Sequence, residues 1–69
     1  MRVNLYHVDY STSGESFEWS GSAADFASKN EMADSDYAAM RNELEKSGRF
    51  WLGGVAAPLF LVMRAREVQ

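Results

Sequence analysis

The only imidazole in the chain is the first candidate for chemistry. His7 is followed two residues later by Asp9, and on a strand both side chains would project from one face. A histidine oriented by a carboxylate can act as a general base, and the same two side chains can bind a metal ion. Neither arrangement is complete, because the chain has no cysteine and no second histidine. We therefore interpret the pair as surface residues of a strand.

The other candidate motifs also lack the partners that catalysis needs. The serines lie in turn or helix-cap contexts, and capping explains them better than catalysis does. Gly53-Gly54 lacks the further glycines and the lysine of a phosphate-binding loop. Glu43 and Glu45 point to different faces of a helix, so they do not form a carboxylate pair. The sequence predicts a protein that is not an enzyme and that binds neither a metal nor a cofactor.

The elements that would position these residues begin with a β-hairpin. Residues 3–10 are rich in β-branched and aromatic types and predict a first strand. Residues 11–16 have the composition of a turn, and residues 17–20 alternate apolar with polar as a second strand does. We expect Phe17 and Trp19 to pair with aromatic residues of the first strand.

Two helices are predicted to follow the hairpin. The first begins near Ser22, whose hydroxyl can cap it, with Asp25 at the position of a capping-box acid. The second begins near Asp34 or Ser35 and closes at Gly48, which suits a left-handed residue. The side chains at helical spacing that form its packed face are Tyr37, Met40, Arg41 and Leu44.

The last third predicts two further strands. Residues 49–52 are strand-like, and Gly53-Gly54 permits a sharp reversal. The apolar run 58–63 fits a central strand, although Pro58 would also suit the first turn of a terminal helix through Glu67. The strand is favoured because an isolated hairpin needs further strands to be stable. The predicted fold is therefore α+β: one domain over residues 1–69, with an antiparallel sheet of three to four strands packed against one or two helices in the order β-β-α-α-β-β.

Charge is spread unevenly along the chain. The formal net charge is −3, yet residues 15–45 hold eight acidic against two basic side chains, and residues 46–69 hold four basic against one acidic. This balance argues against a general nucleic-acid binder, which needs cationic contacts to phosphate. The acidic middle is either a solvated helical face or a patch that steers the domain to a basic partner. For the second alternative, the acidic residues expected to bind are Glu31, Asp34, Asp36 and Glu43.

The chain carries nine aromatic residues, many for so small a domain. Phe17, Phe26 and Phe60 are expected in the core. Aromatic side chains are frequent anchors of protein interfaces, so we expect at least one to be exposed. Trp51 points away from its two apolar neighbours on the predicted strand. The expected partner-binding anchors are Tyr6, Tyr10 and Trp51, which together with the acidic residues would form one acidic and aromatic binding surface.

The sequence shows no sign of a membrane segment. The first residues lack the apolar stretch of a secretory signal. The longest apolar window, residues 55–63, contains Pro58 and is about half of the ~20 residues that a spanning helix needs. We expect a cytoplasmic protein without a membrane partner.

In size, acidity and layout the chain resembles small phage-encoded anti-CRISPR inhibitors. The similar features are the strand-turn-strand of residues 3–20, the passage 19–27 in which a strand ends and an alanine-rich helix opens, and the turn at 50–54 before a closing strand. The resemblance is one of type and layout, so it assigns no role to any residue. It implies a non-enzymatic inhibitor in the bacterial host cell that binds a Cas protein or a CRISPR-Cas effector (surveillance) complex and blocks target DNA.

Two other functions stay open at the level of sequence. One is a small homodimeric phage or bacterial accessory protein, or structural protein, that has no nucleic-acid role and buries its apolar surplus against its own copy. The other is a small regulator that touches DNA through Arg49, Arg64 and Arg66, which the overall negative charge opposes.

Overall fold

A computed structural model describes residues 1–9, 14–53 and 58–66. The predicted α+β class and the order β-β-α-α-β-β are confirmed. The strands form one antiparallel sheet in the order β2-β1-β4-β3. No helix in these three ranges is long and apolar enough to cross a membrane. The elements are β1 (Arg2–Asp9), β2 (Gly14–Ser22), α1 (Ala23–Lys29), α2 (Asp34–Ser47), β3 (Arg49–Leu52) and β4 (Leu59–Arg64).

The closing apolar run is a central strand, as predicted, and not the start of a terminal helix. β4 lies between β1 and β3, so neighbouring strands flank it on both sides. Its consecutive residues Leu61 and Val62 are both buried although they face opposite sides of the sheet. An unbroken apolar run suits such a position because both faces of the strand need apolar side chains. Residue 67, the expected end of the alternative helix, lies outside the described residues.

The second strand is longer than predicted and contains a β-bulge. It begins at Gly14, so residues 14–16 belong to the strand and pair with residues 7–9 of β1; the predicted turn at 11–16 was too long. Pairing with β1 outweighs the weak strand propensity of glycine and serine there. Leu5 pairs with Trp19 and Tyr6 pairs with Phe17, which leaves Glu18 as an extra residue in β2.

The bulge overturns the predicted placement of Phe17. Residues two apart on a regular strand share a face, so period-two alternation placed Phe17 and Trp19 together. The extra residue, Glu18, shifts the alternation by one position, and only Trp19 faces the helices. Phe17 is 61% exposed and is not a core residue. It pairs with Tyr6 as expected, whereas Trp19 pairs with the aliphatic Leu5.

The core lies between one face of the sheet and the two helices. Its fully buried members come from β1, β4, α1 and α2: Val3, Ala23, Phe26, Met40, Leu44 and Val62. Phe26 is in the core as predicted, whereas Phe60 is only half-buried and lies against the His7 ring, with 5.4 Å between centroids. Arg41, expected on the packed face of α2, is exposed and pairs with Glu45 at 3.7 Å. Its guanidinium carbon lies 5.9 Å from the Tyr37 ring centroid.

The predicted ends of both helices are confirmed. Ser22 Oγ accepts a hydrogen bond from the Asp25 backbone N–H at 3.0 Å, which caps α1. α2 begins at Asp34, and Gly48 closes it with φ of 80°, the left-handed conformation that glycine adopts without strain.

Gly21 is a second position where the structure needs glycine, here because the Trp19 ring leaves no room for a side chain. The indole lies across Gly21, where a Cβ atom would lie 2.6 Å from Trp19 Cζ2. The same ring packs against Phe26, with 5.9 Å between centroids, and Lys29 Nζ lies 5.3 Å from it. Glycine at position 21 therefore allows the tryptophan to close the edge of the core.

The end of α1 carries a glutamate where glycine is usual. Met32 N–H donates to Ala27 O at 2.9 Å and Glu31 N–H donates to Ser28 O at 3.2 Å, which is the hydrogen-bond pattern of a Schellman motif. Met32 also packs against the core, as the apolar residue after such a motif commonly does. Glu31 occupies the left-handed position with φ of 51°. A side chain at this position is unfavourable because its Cβ crowds the backbone.

We expect Glu31→Gly to raise the free energy of unfolding by about 0.5–1 kcal/mol, since relief of the left-handed strain exceeds the entropy cost of glycine. Thermal unfolding followed by circular dichroism measures the effect. The control is Ala38→Gly at an exposed position within α2, which should lower stability by about 1 kcal/mol. A Glu31→Gly protein no more stable than the parent would show that the backbone at this position is not strained.

Candidate functional site

A row of apolar side chains crosses the face of the sheet that the helices leave uncovered. Directly paired residues share a face, and the pairing of Phe17 with Tyr6, Tyr6 with Leu61, and Leu61 with Trp51 joins all four strands. We call these four residues the outer aromatic row. It spans three strand spacings, about 14 Å.

The two ends of the outer aromatic row are the most exposed parts of it. Phe17 is 61% and Trp51 is 49% exposed, whereas Leu61 is 4% exposed between its neighbours. The half-buried Tyr6 ring meets the Phe17 ring edge to face, with 6.0 Å between centroids. An exposed sheet face with a large aromatic side chain at each end is typical of a protein-binding face rather than of a solvated one.

The predicted aromatic anchors fall on this row where the structure describes them. Tyr6 and Trp51 both belong to it, and Tyr10 lies outside the described residues. Alternation along residues 50–52 placed Trp51 on the face opposite Phe50 and Leu52 but left open whether that face is exposed or packed against a helix; the structure shows it exposed. Phe17 was not expected on this face because the bulge at Glu18 leaves no mark in the residue pattern.

The row ends at an open edge of the sheet. Arg64 N–H donates to Gly48 O at 2.9 Å, which makes Gly48 and Arg64 a hydrogen-bonded pair. In an antiparallel ladder every second residue after such a pair is hydrogen-bonded to the neighbouring strand. Phe50 and Leu52 therefore bond to β4, while the backbone groups of Arg49 and Trp51 face away from the sheet. Ser47 Oγ donates to Arg49 O at 3.1 Å, and the outward backbone groups of Trp51 take no hydrogen bond from another described residue.

A groove of about 540 Å³ lies on the opposite side of β3. It is bounded by the connection between the helices and the first turns of α2. Phe50, Leu52 and Met32 supply its apolar lining, and Glu31 and Asp36 supply two carboxylates. We call it the acidic groove; its remaining lining residues are Asn30, Ala33 and Ala39.

The structure divides the four predicted acidic residues. Glu31 and Asp36 line the acidic groove, whereas Asp34 and Glu43 are exposed on α2 outside it. The groove is on the helix side of the sheet and the outer aromatic row is on the other side. The acidic and aromatic residues that were expected to form one surface therefore form two, joined only through β3.

The remaining sequence candidates are not gathered into a site. His7 contacts the Phe60 ring, Asp9 is exposed, and no cluster of three or more metal-ligating side chains occurs in the described part of the chain. Arg49 is level with Met63 on the outer face, whereas Arg64 is level with Val3 on the helix face. The arginines of the proposed DNA contact are thus not aligned on one face.

We expect Phe17→Thr to lower the free energy of unfolding by only about 0.5–1 kcal/mol, because it loses an exposed ring and one edge-to-face contact. Phe26→Ala is the contrast, since deleting a fully buried phenylalanine costs about 3–5 kcal/mol. Urea unfolding measures both. Equal losses for the two variants would mean that Phe17 is structural and not a free surface residue.

Comparisons with known proteins do not extend this picture: the chain matches no protein-family model, no curated protein and no solved structure. The chain presents two candidate surfaces. One is an exposed aromatic face that ends at an open strand edge, and the other is a concave acidic groove with an apolar floor. Both are suited to recognition of another molecule.

Proposed function

We propose that the chain is a non-enzymatic protein inhibitor that docks on a bacterial CRISPR-Cas effector complex in the host cytoplasm and prevents target DNA binding. The outer aromatic row is the observation that carries the docking mode. It presents Phe17 and Trp51 on a rigid sheet, with Leu61 filling the space between the paired strands. Aromatic anchors at the centre of an interface supply a large share of binding energy.

A protein partner fits this face better than a nucleic acid does. Aromatic sheet faces can stack bases, but they do so within a positively charged groove that follows the phosphates. Strand pairing places two basic residues of the described chain on this face, Arg49 beside Trp51 and Arg2 at the start of β1, and two are too few to form such a groove. The net charge of −3 would repel a phosphate backbone as it approached.

The charge distribution supports a basic partner. The eight acidic side chains of residues 15–45 would steer the domain toward lysines and arginines. A protein surface that holds DNA phosphates presents such residues. The choice of a CRISPR effector among basic partners rests on the resemblance in size and layout to anti-CRISPR inhibitors, whereas the docking mode rests on the geometry.

We expect the protein to block target DNA binding by at least one member of a panel of purified CRISPR effector complexes, measured by gel shift. The Phe17→Thr/Trp51→Thr double variant should bind that complex about thirtyfold more weakly or worse, since two anchors are lost. Ser28→Ala, at an exposed position on α1 on the other side of the sheet, is the control and should leave affinity unchanged. If the protein binds none of the complexes, the CRISPR target is excluded. If the double variant binds as tightly as the parent, the docking mode is excluded.

A second candidate, a homodimeric accessory or structural protein, is favoured by the open edge of β3. The outward backbone groups of Trp51 could pair with the same strand of another copy and extend the sheet. In such a dimer the two outer aromatic rows would form one continuous face.

The edge makes a direct test of this alternative possible. Trp51→Pro removes an outward N–H without removing a ladder bond, whereas Trp51→Thr removes the indole and keeps that N–H. If the chain dimerises through β3, Trp51→Pro should weaken the dimer by about tenfold or more relative to Trp51→Thr, measured by sedimentation equilibrium. A monomeric parent protein, or equal dimer affinities for the two variants, would contradict this second candidate.

A further inference from the structure

We infer that the acidic groove is a second recognition site, which binds a short extended peptide segment that combines arginine or lysine with a large apolar side chain. The inference rests on the proposal that the chain is a protein-binding domain. It concerns a different surface from the outer aromatic row, and it does not depend on the partner being a CRISPR complex.

The apolar floor of the groove favours a ligand with an apolar side chain. Phe50 and Leu52 point into the groove from β3, on the face opposite Trp51, and Met32 closes it from the end of α1. All three are half-buried, so they pack against the core and still present surface to the groove. The volume of about 540 Å³ lies within the range of sites that hold small ligands and has room for a large aliphatic side chain.

The acidic walls of the groove favour a ligand with positive charge. Glu31 and Asp36 line the groove, and no basic side chain does. Neither carboxylate has an ion-pair partner among residues 1–9, 14–53 and 58–66. Asp34, in the first turn of α2, adds a third negative charge to the same end of the helix. A cationic side chain beside the apolar one would therefore meet complementary charge.

The backbone at Glu31 gives an additional reason to assign a function to this carboxylate. Glycine would adopt the left-handed conformation found after α1 at a lower conformational cost than glutamate does. The chain instead places a glutamate there, at the rim of the groove. Strained residues that carry a polar group to a cleft occur frequently at binding sites.

Other occupants fit less well. An acidic peptide or a phosphate would meet unpaired carboxylates. Calcium prefers six or more oxygen ligands, whereas the groove offers only two carboxylates over an apolar floor. A peptide with basic and aliphatic residues uses both features of the groove.

The test is a titration of the ¹⁵N-labelled 69-residue chain with a blocked hexapeptide of alternating arginine and leucine, followed by amide chemical shifts. The expected result is saturable shifts centred on Glu31, Asp36 and Leu52. Two further hexapeptides, of alternating glutamate and leucine and of alternating arginine and serine, separate the charge requirement from the apolar one. Equal binding by the glutamate peptide or by the serine peptide would overturn the inference.

Variants locate the site. Ala39→Phe fills the groove from an exposed position of α2 and should weaken binding of the arginine–leucine peptide by about tenfold or more. Ala38→Phe adds the same ring at the neighbouring exposed position outside the groove and should leave binding unchanged. Glu31→Gln/Asp36→Asn should weaken binding by about fivefold, and this difference should diminish in high salt. If Ala39→Phe fails to fold, the neutralised double variant decides the question.

The Phe17→Thr/Trp51→Thr variant keeps this inference separate from the proposed function. It should bind the peptide as tightly as the parent while it loses the docking partner. Shifts centred on the outer aromatic row, or unchanged peptide affinity in both Ala39→Phe and the neutralised variant, would show that the groove is not the site. Shifts that depend on protein concentration and not on peptide would assign the groove to a second copy of the chain, which also overturns the inference.

Discussion

The arrangement of the whole sheet depends on the one extra residue in β2. In a regular strand without this bulge, Phe17 and Trp19 would lie two residues apart on the same side, and one of the two faces would lose its aromatic side chain. With it, Trp19 packs on Phe26 at the edge of the core, and Phe17 joins Tyr6 on the far face. The bulge thus supplies an aromatic residue both to the core and to the exposed surface.

Chain length then limits how much of the sheet can be covered. Two helices, of 7 and 14 residues, pack against one face, and six residues from four elements form the fully buried cluster. A 69-residue chain buries only about 60% of its unfolded surface, and the described residues supply no second layer on the other face. Large apolar side chains that remain exposed on that face lower solubility and add little stability, so folding alone does not explain their presence.

Local chemistry made much of the fold predictable from the sequence. The cap at Ser22, the closing Gly48 and the unbroken run in β4 each depend on a few neighbouring residues, and each has the predicted structure. The bulge could not be predicted, because residues 17–20 alternate as a regular strand does. The left-handed Glu31 could not be predicted either, since nothing but glycine or asparagine signals that position. The separation of acids from aromatics follows from the strand order, which brings β3 beside β4 and so fixes which face each residue occupies.

β3 is the element that both candidate surfaces share. Its four residues alternate, so Trp51 belongs to the outer aromatic row while Phe50 and Leu52 line the acidic groove. A single partner that contacted both surfaces would have to pass around the open edge of this strand, where the outward backbone groups of Trp51 are available for pairing. An extended segment is the form of chain that can do this: its backbone matches the strand edge, and its alternate side chains point toward the two faces. Because the alternation of β3 alone separates the two surfaces, a side chain on one face of this strand can be changed while those on the other face keep their positions.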